Sequence, residues 1–569
     1  MGKITLSLVV QLLLSSLIFA QVRTVTGKIT DDKGFAIGGV SVLEKGTKNG
    51  SSTNDDGTFS LKVRNGATLI ISALSFEDKQ VKAADIVNVQ MIKTTENLDE
   101  VVVTALGIKR EKRSLGYGTQ TIGTEELNKS GTGNPLSELN GKASGLTVIN
   151  SSGDPGAGTY IRLRGVTSIT GNNQPLMVVD GVPIDNSINN YDATSATPNV
   201  SGASSNLTGG VQPTNRGVDI NPNDVESITL LKGPAATALY GIQAASGALI
   251  ITTKKGGSGK RGPSISFNSS FTMDKVNRTP PRQNIFAQGN KGVYAGPSGG
   301  SARKFTWGPA IDSLYWDGVP NTFDPHGKIV GASSSAKKIP VYAYNPYDFF
   351  VTGLTYNNSI ALSGGNSKTG YRMSLGNVDQ SGIIPRSKYD KTTFSLSGQS
   401  AITDKLSVSG GINYIRSAND KVQQGSNISS VMLGLLRTPT TFDNSNGLSN
   451  PVDNTASYIQ PSGVQRDYRG GAGYDNPYWT VNKNPFHEEL NRVFGYGQAT
   501  YVLADWISLN YRLGGDSYSQ NGKNVYDKQS NAFPAGAIHL LNYNVSQYNS
   551  DFTINMKKTF SQDFPEPCC

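Results

Sequence analysis

DINPNDVESITLLKGPAATALYGIQAASGALIITTKKG, residues 219–256, holds two short apolar runs set between turn residues. Glu226 to Leu231 and Ala248 to Thr253 read as strands, and Pro234 is placed to start a short helix between them. Upstream, Thr124 to Lys129 reads as a helix, with Thr124 as N-cap and Glu125 and Glu126 in the first turn. A second helix, Pro135 to Leu139, ends near Gly141. Strands follow at Leu146 to Asn150, Tyr160 to Arg164 and Leu176 to Val179, with Asp180-Gly181 as a turn. Residues 119–256 therefore read as one compact α+β domain. Its glycine-rich pieces are turns, not nucleotide loops. Gly153, Gly156 and Gly158 lack the Rossmann order, and Gly256-Gly257-Ser258-Gly259-Lys260-Arg261 lacks the gap and the Ser/Thr of a P-loop.

This domain sits inside a chain of 569 residues, long enough for several domains. No run of about 18 apolar residues occurs, which excludes a helical membrane protein but not a β-barrel, whose alternating faces average out. The net charge of +9 is spread without a long basic run, so nothing points to nucleic acid. The only cysteines, Cys568 and Cys569, are adjacent, so neither a disulfide framework nor a CxxC zinc site can form. His326, His487 and His539 lie far apart in polar surroundings and read as exposed loop histidines, with no metal or cofactor implied.

Toward the N-terminus, Lys3 followed by the apolar Leu6 to Phe19 and then Ala20-Gln21 reads as a signal peptide over 1–20. Residues 21–92 read as a β-sandwich: alternation from Val22, a turn at Asp31-Asp32-Lys33-Gly34 closing a first hairpin, and a turn at Asn54-Asp55-Asp56-Gly57 leading into Phe59, Leu61 and Val63. Residues 93–118 form a linker whose core, Asp99-Glu100-Val101-Val102-Val103-Thr104, places three valines between charged clusters. It reads either as a buried strand of the next domain or as a strand that adds to another protein's sheet edge.

Residues 257–569 alternate with a two-residue period. Ile265, Phe267, Phe271 and Met273 share a face, as do Phe394 and Leu396. Leu406, Val408, Ile412 and Tyr414 form a third such face, Ile507, Leu509, Tyr511 and Leu513 a fourth, and Phe552, Ile554 and Met556 a fifth. One apolar face against Ser/Thr/Asn, with turns alternately short and long, predicts antiparallel transmembrane barrel strands. Long loops are expected at about 276–352, 417–489 and 515–548. Their aromatic residues, among them Tyr342, Tyr344, Tyr347, Tyr474 and Trp479, suit ligand contact, contact with a lid protein, or packing of the loops on themselves.

Four stretches carry a family resemblance. VTGKITDDKGFAIGGVSVLEKGTKNGSSTNDDGTFSLKV resembles the carboxypeptidase-regulatory-like domain, a non-catalytic module in that family. LDEVVVTALGIKREKRSLGYGTQ resembles the TonB-box region of SusC/RagA outer-membrane transporters. YIRLRGVTSITGNNQPLMVVDGVPID, with the stretch quoted first, resembles their plug domain. The resemblance implies a mostly β protein: sandwich, α+β plug, then an incomplete barrel. It implies uptake of an oligosaccharide or peptide across the outer membrane, without catalysis or cofactor. TonB would act on Asp99 to Thr104, and a SusD-like surface lipoprotein would cover the mouth. Arg162, Arg164, Asp180, Glu226 and Lys232 stand beside apolar strands and read either as breakable ion pairs of the plug or as its solvated surface. A secreted, non-transporting glycan-binding protein or adhesin is the alternative, and no spaced carboxylate pair marks a hydrolase. Eight to ten clear strands against the roughly 22 of plugged transporters, and the ending SQDFPEPCC, predict a truncated chain that cannot close its barrel.

Overall fold

The computed structural model describes residues 22–557 except for 33, 48, 74–75, 93–100, 104–108, 112–117, 128–132, 170–172, 188–208, 212–213, 234–237, 239, 257–261, 426–427 and 472. The expected signal peptide, Lys129, Pro234 and the two cysteines lie outside the described residues. The chain divides into two compact units, Met1–Glu100 and Val101–Cys569.

The first unit is a β-sandwich. Thr58–Arg64, Val22–Thr30 and Val89–Gln90 form one sheet, and Gly50–Ser52, Ser41–Glu44, Thr68–Ser72 and Lys79–Lys82 the other. Alternate residues of both sheets meet in one core, including Val25, Ile29, Val42, Phe59, Leu61 and Ile71. The expected first hairpin is present but short: Thr30 bridges Ala36 antiparallel, and Ile37 N–H donates to the Ile29 carbonyl at 3.1 Å. The turn exists, with Gly34 N–H donating to the Asp31 carbonyl at 3.1 Å. However, Val22–Thr30 pairs antiparallel with Thr58–Arg64 and parallel with Val89–Gln90, while Ser41–Glu44 joins the opposite sheet. A two-sheet core needs the chain to cross between layers, and that turn makes the crossing.

In the second unit a five-stranded sheet forms the plug, in the order Thr119–Gly123, Val225–Leu231, Ala248–Thr253, Leu176–Val179, Val182–Ile184. Ala248–Thr253 is central and buried along both faces, which explains its unbroken apolar run. Leu146–Asn150 and Thr159–Leu163 pair as a separate hairpin. Among the described residues Thr124–Leu127 is a helical turn, and Ser137–Leu139 and Gly241–Ala244 are 3₁₀ turns. Thr124 is no cap. Its hydroxyl donates to the carbonyls of Val225 and Glu226, at 2.9 and 2.8 Å, tying the turn to the neighbouring strand.

Around the plug stands an eight-stranded antiparallel meander: Ser264–Asp274, Gly353–Gly365, Thr369–Ser381, Lys388–Ala401, Leu406–Lys421, Phe486–Ala504, Ile507–Tyr526 and Ala537–Met556. The sheet is open, since the first and last of these strands are each paired on one side among the described residues. Its outer face is apolar, with Phe267, Leu375, Leu396, Ile412, Leu513 and Phe552 exposed. Its inner face buries Arg372, Lys391, Thr393, Asn419, Glu488, Arg492 and Asp516. The usual order of a soluble core is thus inverted, as a barrel in lipid requires. Two inward apolar residues, Ile415 and Phe494, complete the plug's own core.

Two expected loops shrink. Leu406–Lys421 and Phe486–Ala504 leave 422–485 as loop, and Ile507–Tyr526 and Ala537–Met556 leave only 527–536. These strands are longer than the 9–11 residues or so that a bilayer needs, and their polar ends had the composition of loops. His487 and His539, expected in loops, fall on them.

The remaining long loops are folded together. Arg466, fully buried, donates to the carbonyls of Thr322 at 3.2 Å, Asp443 at 2.8 Å and Ser457 at 3.1 Å, and to that of Phe323. Burial pulls its guanidinium down to about 10.

The sandwich unit has a core of its own, so a fragment spanning 22–92 is expected to unfold cooperatively by itself. In it, Ile71→Ala should cost about 2–5 kcal/mol by urea titration. A fragment without a cooperative transition would contradict the separate core.

Candidate functional site: the charged seam between plug and wall

The plug presents its acids on turns. Arg216–Asp219 is a 3₁₀ turn, and Pro222–Asp224 a second, started by Asn221, whose side chain accepts from Asn223 N–H. Short turns aim Asp219 and Asp224 sideways at the wall, out of the sheet. Arg492 answers from the wall. Its Nη1 donates to Asp219 at 2.8 Å, and Nε and Nη2 grip Asp516 at 2.8 and 2.6 Å. Further bonds reach the carbonyls of Arg216 at 3.1 Å and Asp185 at 2.9 Å. All three ionic side chains are fully buried.

The network continues on both sides. Asp516 also accepts from Asp185 N–H at 2.9 Å, and Tyr518 hydroxyl donates to the Asp185 carboxylate at 2.6 Å. Glu488 stands between Lys421 at 2.5 Å and plug Arg216 at 3.7 Å. Lys391 donates to the plug carbonyls of Val218 at 2.7 Å and Gly133 at 3.0 Å. Arg372 pairs with Asp224 at 2.7 Å.

Close approach adds shape. At Gly156, with φ +63°, a Cβ would lie 2.4 Å from the Tyr389 ring, and at Gly181, with φ +86°, 1.8 Å from the Arg512 guanidinium. Only glycine lets the plug backbone meet the wall at those two points.

Energetically, such a seam specifies position more than it stabilises. Desolvation of buried ions roughly cancels their attraction, yet removing one partner strands the other. A domain held this way seats in one register.

The plug carries a second feature of this kind. Asp154, beside Gly156, has a carboxylate oxygen with no hydrogen-bond partner among the described residues. Burial pushes its carboxyl up to about 6, partly offset by Ser152 and the Lys421 charge.

Comparison with known proteins agrees with this architecture. The family model for the TonB-dependent receptor plug domain matches residues 111–248, and that for the CarboxypepD_reg-like domain matches 25–103. The TonB-dependent receptor SusC of Bacteroides thetaiotaomicron is 30% identical over 488 residues, covering 85% of this chain and 42% of that protein. The chain belongs to the SusC/RagA family of TonB-dependent receptors.

TonB-dependent receptor P39 of Formosa agariphila is 27% identical over 553 residues, 94% of this chain and 44% of its own. A solved structure of the RagAB peptide importer in its "open-open" state shares the fold at TM-score 0.59 and 20% identity, over 81% of this chain and 47% of that one. This SusC/RagA chain thus spans less than half the length of each of these three proteins.

The expected site residues of this SusC/RagA chain fall as follows. Asp99, Glu100 and Thr104 lie outside the described residues. Val101–Val103 is a strand, paired antiparallel with Lys109–Glu111. The five charges expected to form ion pairs make none within 4.0 Å among the described residues, which corrects the ion-pair reading. Arg162 stacks on Tyr160 at 5.0 Å. Asp180, at φ +48°, accepts from Thr253 hydroxyl at 2.6 Å and N–H at 3.1 Å. Lys232 donates to Gln120 at 2.8 Å and to the Ser144 carbonyl at 2.7 Å; burial first, then neighbouring Arg164, holds it below the usual lysine range. Glu226 acts on Lys254 only at longer range. These residues sit on strands and strand ends, whereas the ion pairs form at the turns facing the wall.

Among the aromatics, Trp479 is 3% exposed, donates to Ser530 at 3.0 Å and packs with Phe349, Tyr458 and Tyr478. It is a loop-core residue, a correction to its reading as a ligand contact. Tyr344 hydroxyl donates to Asp324 at 3.3 Å, Tyr347 hydroxyl to the Pro280 carbonyl at 2.9 Å, and Tyr474 lies under Arg437 and Arg469. Tyr342 keeps half its surface open.

The residues that do pair across the seam were overlooked because each looks like one more polar lumen position. The usable signal was the charge itself: Arg492 shares the strand face of Leu490 and Phe494, a phase aimed at the plug.

Arg492→Leu should cost about 3–5 kcal/mol by leaving Asp219 and Asp516 unpaired, read as a lower thermal midpoint and faster proteolysis of the plug. Adding Asp516→Leu should recover part of the loss. Asp154 has a folded pKa raised above its unfolded one, so its unfavourable contribution is absent below about 4 and complete above about 6. Asp154→Asn should therefore raise the thermal midpoint at pH 7.5 and leave it unchanged at pH 3.5; equal shifts at both would refute the assignment.

Proposed function

We propose that this chain supplies the gated entry of an energy-coupled outer-membrane importer for a large nutrient, an oligosaccharide or a peptide. The observation that carries this reading is a separate plug domain seated by buried, hydratable charges against the polar face of a sheet whose other face is apolar. A permanent core would be apolar at that seam. A seam of ions and carbonyls suits a part that must leave and return.

The segment Asp99 to Thr104 then serves as the TonB box, removal of the signal peptide leaves sandwich and plug on the periplasmic side, and the outer face meets outer-membrane lipid. A SusD-like lipoprotein over the loops would complete the receptor, with Tyr342 among the aromatic contacts. Force applied at Val101–Val103 reaches Thr119–Gly123 first. That strand is the edge of the plug sheet, held along its length by Val225–Leu231 alone among the described strands. An edge strand can peel away pair by pair without breaking the centre of the sheet.

Deleting Asp99 to Thr104 should abolish uptake while leaving membrane insertion and ligand binding intact; normal uptake by that deletion would sink the TonB-box assignment. On the apolar outer face, Leu396→Arg should cost about 2–4 kcal/mol near the bilayer midplane, visible as less folded protein in the outer membrane.

A further inference from the structure

Between the two long loops lies a cavity of about 500 Å³, in the range of small-ligand sites. Tyr294, Phe323, Phe442, Ile329 and Val330 give it a largely apolar wall. Gln288, Asn321, Asp324 and Lys328 are among the polar side chains that line it, with the hydroxyls of Ser298, Thr322 and Thr441.

Asp324, Gln288 and Asn321 are engaged in holding the loops. Asp324 Oδ1 accepts the His326 N–H at 2.7 Å and lies 3.1 Å from its Nδ1. Its Oδ2 accepts from Trp316 Nε1 at 3.2 Å and Tyr344 hydroxyl at 3.3 Å. Gln288 donates both amide hydrogens to the carbonyls of Arg303 and Tyr468, each at 2.8 Å. Asn321 Oδ1 accepts from the N–H groups of Phe323 at 2.8 Å and Asp324 at 3.2 Å. Carboxylates and amides are the groups that would grip sugar hydroxyls, and here both Asp324 oxygens, the Gln288 amide nitrogen and the Asn321 amide oxygen are engaged by the loops. Lys328 and the Tyr294 hydroxyl are among the groups open to a ligand. Lys328 is exposed, with no side-chain ion pair among the described residues, and Tyr294 hydroxyl has no hydrogen-bond partner among them.

An apolar, aromatic chamber whose one lining cation, Lys328, has no ion pair among the described residues suits an apolar body carrying an anion. We propose that this cavity binds the C-terminal end of an oligopeptide, its last side chain between Tyr294, Phe323 and Phe442 and its α-carboxylate on the Lys328 ammonium. The inference rests on the importer reading for how the ligand arrives, and it narrows the nutrient to peptides. Oligosaccharide becomes the contrary outcome.

The test uses the full-length receptor in detergent and three probes: a fluorescent tetrapeptide Gly-Ala-Ala-Phe, its C-terminal amide, and maltohexaose. The free acid should bind about tenfold more tightly than the amide, the difference of one charge-assisted contact. Lys328→Gln should erase that preference and Lys328→Arg keep it. Val330→Trp should fill the chamber and weaken acid and amide alike, with an unchanged thermal midpoint showing that the loops still fold. Equal binding of acid and amide by the unaltered protein, a preference that survives Lys328→Gln, or maltohexaose binding lost in Val330→Trp would each overturn the proposal. Binding needs no TonB, so the two readings fail separately. Peptide binding without box-dependent uptake would count against the importer alone, and box-dependent uptake of another nutrient without acid preference against the peptide site alone.

Discussion

Arg492 cannot be buried alone. Its guanidinium is out of contact with water, and an unpaired ion in such a place would cost several kcal/mol. The wall supplies Asp516, but one carboxylate leaves Nη1 without a charged acceptor, and Asp219 of the plug provides one. The same logic holds for Lys391, whose ammonium finds its acceptors in plug carbonyls, and for Arg372 with Asp224. The inner wall is therefore chemically incomplete until the plug is in place. The plug's turns, the two glycines at the contact points and the register of eight strands all serve that one requirement.

The arrangement also explains why polarity is inverted without loss of order. A soluble domain packs by excluding water from apolar surface. Here the apolar surface of the wall faces outward, and what packs inside is a lattice of directed bonds, with Ile415 and Phe494 joining the apolar centre of the plug. Directed bonds have stricter geometry than apolar contacts, so the plug has one seat. Their net free energy is small because hydration competes with them, so that seat need not be permanent. The long loops use a related device: Arg466 and Asp475 collect carbonyls and amides from both loops and make a folded cap of segments with polar composition.

Much of the plug was legible because strands announce themselves locally. Leu146–Asn150, Leu176–Val179 and Ala248–Thr253 lie where the apolar runs predict them. The outer face of the wall was legible for the same reason: Phe394, Leu396, Ile412 and Phe552 share the two-residue period of a half-apolar strand. Loop lengths were misjudged where strands run beyond the apolar belt, since Ser517, Asn521 and Asn544 carry no hydrophobic signal while still pairing in register. Trp479 was misplaced because aromatic content alone does not tell a binding face from a small core.

By itself, the sequence determined the strands, their inward and outward faces and the family, because period, turn chemistry and motif are properties of neighbours along the chain. The tertiary structure decided which charges meet. Asp219 and Arg492 are 273 residues apart, and their 2.8 Å contact exists only because sheet register brings a plug turn to that height on the wall. Coulomb attraction and desolvation depend on distance in space, and a linear sequence does not contain it.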